Sequence, residues 1–584
     1  MSLMPLKTNA RVAVVGGGIS GTTFAYFLTK LRPDVHITVF EKSPRVGGWI
    51  DSQTVVVDGK PVLLEKGPRT LRGVRNGTLL IVDTLSQLGH DDQVEVMDKK
   101  SIANKKWIWS NSGLIPVPDP FSVSSLTKFL THSEIIQPKL FWGFLKEPFV
   151  KPKNLDESIE SFFNRRLGNK ILTNNVLSAM IHGIYAGDIS KLSIKSIMPK
   201  VKYLEKDYGS ITKAILQKIA LRMKPLRARL PPLNPLPEYF ESYKKLSPTN
   251  LKELSKQLKQ YPAIKLQNGL QALPNLIAQH LSKQPNVNFV FNSDIKSIDI
   301  ENGVVETSKK ETFDHIRSTI NTHDLAKLIS NDGISEKLTA LQYVNVFLVN
   351  VYSKKGTLIP KDKHGFGFLV PRFSNPNFNK GGLLGVIYDS DIEKNVVKLS
   401  DPSTKSAVES GEYQKITLMM GGWYYAEEKP TESFRLKALK NVLADYLHLD
   451  ASHNLVLRDE AHLTDKTVQN LGENDLLVSY NYLENCIPQY NIGYEQNKEE
   501  LMTMLCGRSI SLGGMGYGHG IGVPDCVECS FEAAVKLSTP QVAMSEVLIS
   551  EEQAAHDEKI ALEKQEQERR QRDALIEDEK SRYY

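Results

Sequence analysis

Gly16, Gly18 and Gly21 have the spacing G-x-G-x-x-G, and Glu41 follows the last of them by about 20 residues. Backbone amides that open a helix can hold a pyrophosphate, and a carboxylate at that distance can accept hydrogen bonds from ribose hydroxyls. The chemistry expected of these residues is dinucleotide binding. An acid at position 41 would repel a 2′-phosphate, which argues against NADP. The sequence has no evident Ser-His-Asp set, paired carboxylates or metal-ligand spacing.

Such a loop needs a strand before it and a helix after it. Residues 12–15 are an apolar, β-branched run suited to a strand buried on both faces. Phe24, Phe27, Leu28 and Leu31 recur at helical intervals over residues 19–31, and residues 35–40 read as a second strand. The glycines permit the tight turn, the close approach of backbone to phosphate and the close packing of helix on strand.

At 584 residues the chain is long enough for two or more domains, and its 41% hydrophobic content is ordinary for a globular protein. A formal charge of +6 is small for this length, so nucleic-acid binding is not expected. No run of 18 or more apolar residues is present, so no transmembrane helix is expected, and the N-terminus has no apolar signal region. The short stretch MSLMPLKTNAR lacks acids but leaves little room for a cleaved transit peptide. The four cysteines fall late in the chain, which suits a reducing compartment. Cys526 and Cys529 form C-x-x-C without a second ligand pair, and are expected at the start of a helix with one of them buried.

Further along, Gly47 and Gly48 form a second glycine pair, and residues 78–88 read as an amphipathic helix. From about 93 to 215 the chain reads as more helical. Within it, residues 121–153 mix Phe141, Trp142, Phe144 and Phe149 with lysines. Such a face suits a lipid interface, or equally a pair of helices with ordinary core aromatics. The proline-rich, basic residues 222–240 read as an exposed loop insert, and residues 343–423 as β-rich. Near the C-terminus, SISLGGMGYGHGIGVPDCVECSFEAAVKL returns to strand, glycine loop and helix, which suggests one nucleotide-binding domain split by long inserts. The charged tail lacks an apolar stripe.

The motifs VVGGGISG, VGGWI, EKGPRTLRG, HGIYAGDISKLSI, GFGFLVP, LLGVIYDS, NCIPQYNIGY and GIGVPDC, in this order, resemble the fungal form of the protoporphyrinogen oxidase family, within the wider superfamily of amine-oxidase-like flavoproteins. The resemblance runs from about residue 10 to residue 537. It implies a mixed α/β (α+β) fold: a split Rossmann-like FAD-binding domain (1–92, 261–330 and 486–540), a helical membrane-binding domain (93–215) and a β-rich substrate-binding domain (331–485); the residues outside the resemblance read from their composition as a flexible insert (216–260) and a charged tail (541–584). It implies one non-covalent FAD per chain. The pyrophosphate would lie on Gly16, Gly17, Gly18, Ile19, Ser20 and Gly21, and the adenosine ribose at Glu41 and Lys42. Trp49 and Gly67, Pro68, Arg69 and Thr70 match positions near the flavin. Ile295 matches a strand position near the adenine, and Gly520, Ile521 and Gly522 match the second flavin contact. Many relatives place an acid after a glycine there; GGMGYGHG has none and Asp525 comes too late, so a backbone contact is expected.

The implied reaction is oxidation of protoporphyrinogen IX to protoporphyrin IX by O2, with six electrons leaving and three H2O2 formed. Relatives anchor a substrate propionate with an arginine in the segment matching ANKKWIWSNSGLIPVP. Counting back from Pro118 places its equivalent at Lys106, with Lys105 as neighbour and rival. Phe366 is a candidate wall of the substrate slot, or a core residue. Family analogy adds peripheral attachment to the inner mitochondrial membrane, contact with ferrochelatase and a homodimer. Two other readings compete: a different flavin oxidase or desaturase, and a non-catalytic binding protein on the same fold.

Overall fold

Val12, Ala13 and Val14 are wholly buried in the strand Arg11–Val15, which is the middle of a five-stranded parallel sheet. The computed structural model of the protein describes residues 4–110, 113–117, 138–168, 170–222, 243–244, 246–356, 358–372, 379–403, 413–449, 453–459 and 467–538. Across the sheet the strands run Ile510–Leu512, His315–Ser318, Arg11–Val15, His36–Phe40 and Val287–Val290. Three distant stretches of chain therefore build one sheet, as expected of a split domain. The helices Ile19–Leu31 and Val523–Ser538 meet through Phe27 and Phe531, whose rings are edge-on at 5.1 Å. Phe40, Ile316, Leu338 and Leu501 belong to a separate core that also contains Ala13 and Val15 of the central strand. With its strands buried in two cores, the run is continuously apolar rather than alternating.

A second, eight-stranded mixed sheet carries the β-rich part of the chain. Its order is Asn454–Asp459, Asp475–Gln489, Gln342–Ser353, Gln414–Gly422, Leu383–Ile387, Gly367–Leu369, Lys106–Ser110 and Gly113–Pro116. Phe347, Val349, Ile416 and Leu418 pack with Leu439, Val442 and Leu443 of the helix Glu432–Leu447. β-branched and aromatic residues suit such a half-buried pleated face.

The structure redraws several expected boundaries. Residues 93–215 are not helical throughout: Val94–Met97 pairs with Ala263–Leu266, and Lys106–Ser110 and Gly113–Pro116 complete the eight-stranded sheet. Described α-helices of that region begin at Pro138, after one short 3-10 turn at Ile102–Asn104. The expected flexible insert 216–260 contains the helix Leu251–Leu258, whose Leu251 and Leu258 are buried in the core of the parallel sheet. Ile295 is not in a strand; it lies between Val287–Val290 and Ser297–Asp299. Residues 121–137, most of the proline-rich stretch and the tail lie outside the described residues. Among the described residues no helix is long and apolar enough to cross a membrane.

Candidate functional site

The loop after the central strand is shaped by its glycines. Gly16 has φ +102°, a left-handed conformation that side chains other than glycine rarely adopt. A Cβ on Gly21 would fall 1.9 Å from the Gly16 carbonyl oxygen, so helix and turn are in direct contact. Gly18 differs: its Cβ would meet nothing nearer than Gly48 Cα at 3.7 Å. The Gly47 amide donates to Gly17 O at 2.9 Å, bringing the two glycine pairs together. Arg45, which the sequence reading missed, donates to Ile50 O at 3.0 Å and Gly48 O at 3.1 Å and so fixes the second pair.

The helix Ile19–Leu31 starts at Gly18 with no side-chain cap and no acid in its first turn. Its first amides are thus left for a ligand, at the positive end of the helix dipole. Ile19 packs inward, and Ser20 accepts through its carbonyl from Ser530 Oγ at 2.8 Å, which ties the first helix to the last. Glu41 Oε2 accepts from the Gly17 amide at 2.7 Å, and Oε1 accepts from the Ser43 amide and hydroxyl at 2.8 Å. Lys42 is exposed beside it. The Ser293 amide donates to Glu41 O at 2.9 Å, which sets half-buried Ile295 two residues from the acid's backbone. An adenine dinucleotide fits these residues. The helix start is uncapped, Gly18 leaves room for a Cβ at ordinary contact distance from Gly48, and the Ser293 hydroxyl is buried without a partner among the described residues.

Trp49 is 41% exposed and meets the next expected loop closely: a Cβ on Gly67 would fall 2.0 Å from Trp49 O. Pro68 is exposed and Thr70 half-buried, whereas Arg69 turns inward. Its guanidinium donates to Asp389 Oδ1 at 2.7 Å and approaches Gly67 O at 3.4 Å, and Thr417 Oγ1 donates to Asp389 Oδ2 at 2.7 Å. Arg69 is therefore a tie between the glycine lobe and the second sheet. Gly520, Ile521 and Gly522 precede the helix Val523–Ser538, and the Gly522 amide donates to Asp525 Oδ2 at 3.2 Å. Asp525 thus caps its own helix and also pairs with Arg75 at 3.4 Å. Cys526 is buried in that helix and Cys529 half-buried, and no metal-binding cluster occurs among the described residues.

Lys106 and Phe366 come together. Lys106 pairs in register with Gly367, and its Nζ lies 6.0 Å from the Phe366 ring and 3.5 Å from Asn104 Oδ1. Lys105 faces elsewhere, with Nζ 4.1 Å over the Trp107 ring. Phe366 also packs on the cluster of Met97, Ala103, Ala263, Ile392 and Val396. Partial desolvation of the otherwise exposed side chain by the protein around it, and then the Arg72 guanidinium, lower the pKa of Lys106. The loop is held by Asp391, whose Oδ2 accepts from the Gly365 amide at 2.8 Å.

His182 was not singled out from the sequence, although HGIYAGD was. Its Nδ1–H donates to Val370 O at 2.7 Å, and its Nε2 accepts from Trp423 Nε1–H at 2.9 Å. Burial lowers its pKa to about 4, so the ring is neutral at pH 7. It is a structural acceptor, not a base facing an open site.

The family model for flavin-containing amine oxidoreductases matches residues 19–447. The Saccharomyces cerevisiae protoporphyrinogen oxidase is 36% identical over 566 residues, covering 92% of this chain and 99% of its own. The Schizosaccharomyces pombe protoporphyrinogen oxidase is 30% identical over 557 residues, covering 90% and 98%. A crystal structure of an Exiguobacterium sp. 255-15 protein superposes with a TM-score of 0.63, covering 91% of this chain and 99% of its own; at 17% identity it supports the fold alone. With a flavin-family match over most of its length and two relatives aligned nearly end to end, the chain belongs to the protoporphyrinogen oxidase family of flavin-containing amine oxidoreductases.

Proposed function

We propose that this chain oxidises protoporphyrinogen IX to protoporphyrin IX with O2 as acceptor, the penultimate step of haem biosynthesis. Six electrons and six protons leave the substrate, and three O2 become three H2O2. FAD is the cofactor, and when bound it supplies the two-electron acceptor for each step. The observation that carries the reading is the nearly end-to-end match to two protoporphyrinogen oxidases at 36% and 30% identity, with the Arg69–Asp389 pair joining the dinucleotide lobe to the part of the protein that bears Lys106 and Phe366.

Each part of the site has an assignable role. The pyrophosphate lies on the Gly16–Gly21 turn and is held by the amides that open the helix from Gly18 on, and Glu41 with Lys42 orients the adenosine ribose. Ile295 borders the adenine. Trp49, the Gly67–Pro68–Arg69–Thr70 loop and Gly520, Ile521 and Gly522 border the isoalloxazine, with Arg69 acting from behind the loop. Lys106 binds a substrate propionate and Phe366 walls the slot; its position on a core cluster lets it serve both purposes. An apolar slot with few polar contacts suits a large tetrapyrrole. His182 is not the proton acceptor, because both its ring nitrogens are engaged, with Val370 O and Trp423 Nε1, and the ring is buried.

The helix Pro138–Lys146 and the turn after it expose Trp142, Phe144, Leu145 and Phe149. They are supported by buried Glu147, which accepts from the Ile211 and Thr212 amides at 2.9 Å and pairs with Arg166 at 3.1 Å. We assign this face to peripheral membrane attachment, which suits a poorly soluble substrate and product. Family analogy extends the proposal to the inner mitochondrial membrane, to contact with ferrochelatase and to a homodimer.

The test is substrate discrimination by the purified yellow protein. Oxygen uptake with protoporphyrinogen IX, and none with polyamines or a polyene, supports the reading. Uptake with an amine or polyene and none with the porphyrinogen would replace it with another flavin oxidase or desaturase.

A further inference from the structure

Arg72 follows the flavin-side loop directly, and its backbone is firmly held. Leu71 and Ile264 exchange amide hydrogen bonds at 2.7 and 2.9 Å, and Thr78 Oγ1 and the Arg75 amide donate to Arg72 O at 2.7 and 3.2 Å. At the next residue, a Cβ on Gly73 would fall 2.1 Å from Leu258 O. The side chain is different: Arg72 is exposed, and its guanidinium has no hydrogen bond or ion pair among the described residues.

Lys106 approaches the same place from the other sheet. Leu71 bridges to Ile264, while Ala103, three residues before Lys106, packs with Ala263. Both cation-bearing segments thus border one end of the strand Ala263–Leu266. Arg72 acts on the Lys106 ammonium as a neighbouring positive charge, and neither has a carboxylate partner among the described residues. Several buried cations among the described residues are matched by carboxylates: Arg69 with Asp389, Arg166 with Glu147 and Glu205, Lys265 with Glu95. Two adjacent unmatched cations beside an aromatic wall describe an anion-binding edge.

We propose that Arg72 is a second substrate-binding cation, which with Lys106 holds the two-carboxylate edge of the tetrapyrrole. The inference rests on the substrate proposed above. Lys106 offers a single mobile ammonium, whereas Arg72 offers a planar fork that matches a carboxylate with two parallel hydrogen bonds. The pair would thereby fix which edge of the macrocycle enters first.

The experiment uses the FAD-loaded full chain and two probes, protoporphyrin IX and its dimethyl ester, with binding read by porphyrin fluorescence. Wild type should prefer the free acid. Arg72→Gln should weaken the acid by about tenfold or more, as for loss of a charge-assisted hydrogen bond, and leave ester binding and flavin content unchanged. Arg72→Lys should restore most of the acid preference. In turnover, Arg72→Gln should raise KM more than it lowers kcat. The proposal is overturned if Arg72→Gln binds the acid as wild type does, if acid and ester weaken together, or if flavin is lost. Loss of the acid preference in Lys106→Gln but not in Arg72→Gln would remove Arg72 alone. A wild-type protein that binds neither probe would overturn the substrate reading and this inference with it.

Discussion

Arg69 and Asp389 meet at 2.7 Å with their side chains only 7% and 8% exposed, although 320 residues separate them in the chain. The pair fastens the loop next to Trp49 to the sheet that carries Phe366. Removing one partner of a buried pair leaves an uncompensated charge and typically costs about 3–5 kcal/mol. Asp389→Ala should therefore lower the melting temperature and the FAD retained on purification, whereas Asp389→Glu should lower both less. Full flavin content and unchanged melting in Asp389→Ala would show that the loop does not depend on this tie.

The two helix-start glycines should fail in different ways. A Cβ at Gly21 collides with the Gly16 carbonyl, so Gly21→Ala should fold poorly. Gly18 has room for a Cβ within the protein, so the obstacle to Gly18→Val is the pyrophosphate. Gly18→Val should be folded by circular dichroism yet colourless. A yellow, fully loaded Gly18→Val would place the pyrophosphate elsewhere.

Stability should fall in mild acid. Burial holds His182 at about 4 and His315 at about 3, both below the ordinary value of about 6.5. As the pH falls below about 6.5, the unfolded chain binds these protons first, so stability present above that pH is lost progressively toward 4. For His182 the full loss is on the order of 3 kcal/mol. Melting temperatures between pH 7 and pH 4.5 should drop less steeply in His182→Gln, where neither state takes up that proton. An equal slope in the two proteins would contradict a neutral buried ring.

The glycine loop was legible because its signal is local: spacing, a strand before it, a helix after it and an acid at the right distance. The split domain was legible because both ends of the chain carry a glycine loop before a helix. Long-range pairing was not. Arg69 was matched to a flavin-side position by resemblance, and its tie to Asp389 was not legible because that partner lies in a distant motif, LLGVIYDS. Residues 94–97 and 106–110 did not read as sheet members because their neighbours, 263–266 and 367–369, come much later. Ile295 was matched to a strand position by resemblance alone, and only the pairing of the two short strands on either side shows that it falls between them. His182 carried no signal beyond its motif; its neutrality follows from burial between Val370 and Trp423.

Attachment to lipid should depend on the exposed aromatics below the Glu147 network. Replacing Trp142, Phe144 and Phe149 together with serine should release the protein from liposomes and leave its flavin in place. Phe149 is 86% exposed, so its loss should cost little folding stability. Undiminished sedimentation of the triple variant with liposomes would assign attachment to another surface.

The most direct measurement follows protoporphyrin IX fluorescence and H2O2 together, as the purified FAD-bearing protein meets anaerobically prepared protoporphyrinogen IX and air is admitted. The account predicts porphyrin formation well above the spontaneous rate, about three H2O2 per porphyrin, and no acceleration with Gly18→Val. A flavin-loaded wild-type protein that leaves the spontaneous rate unchanged would contradict it.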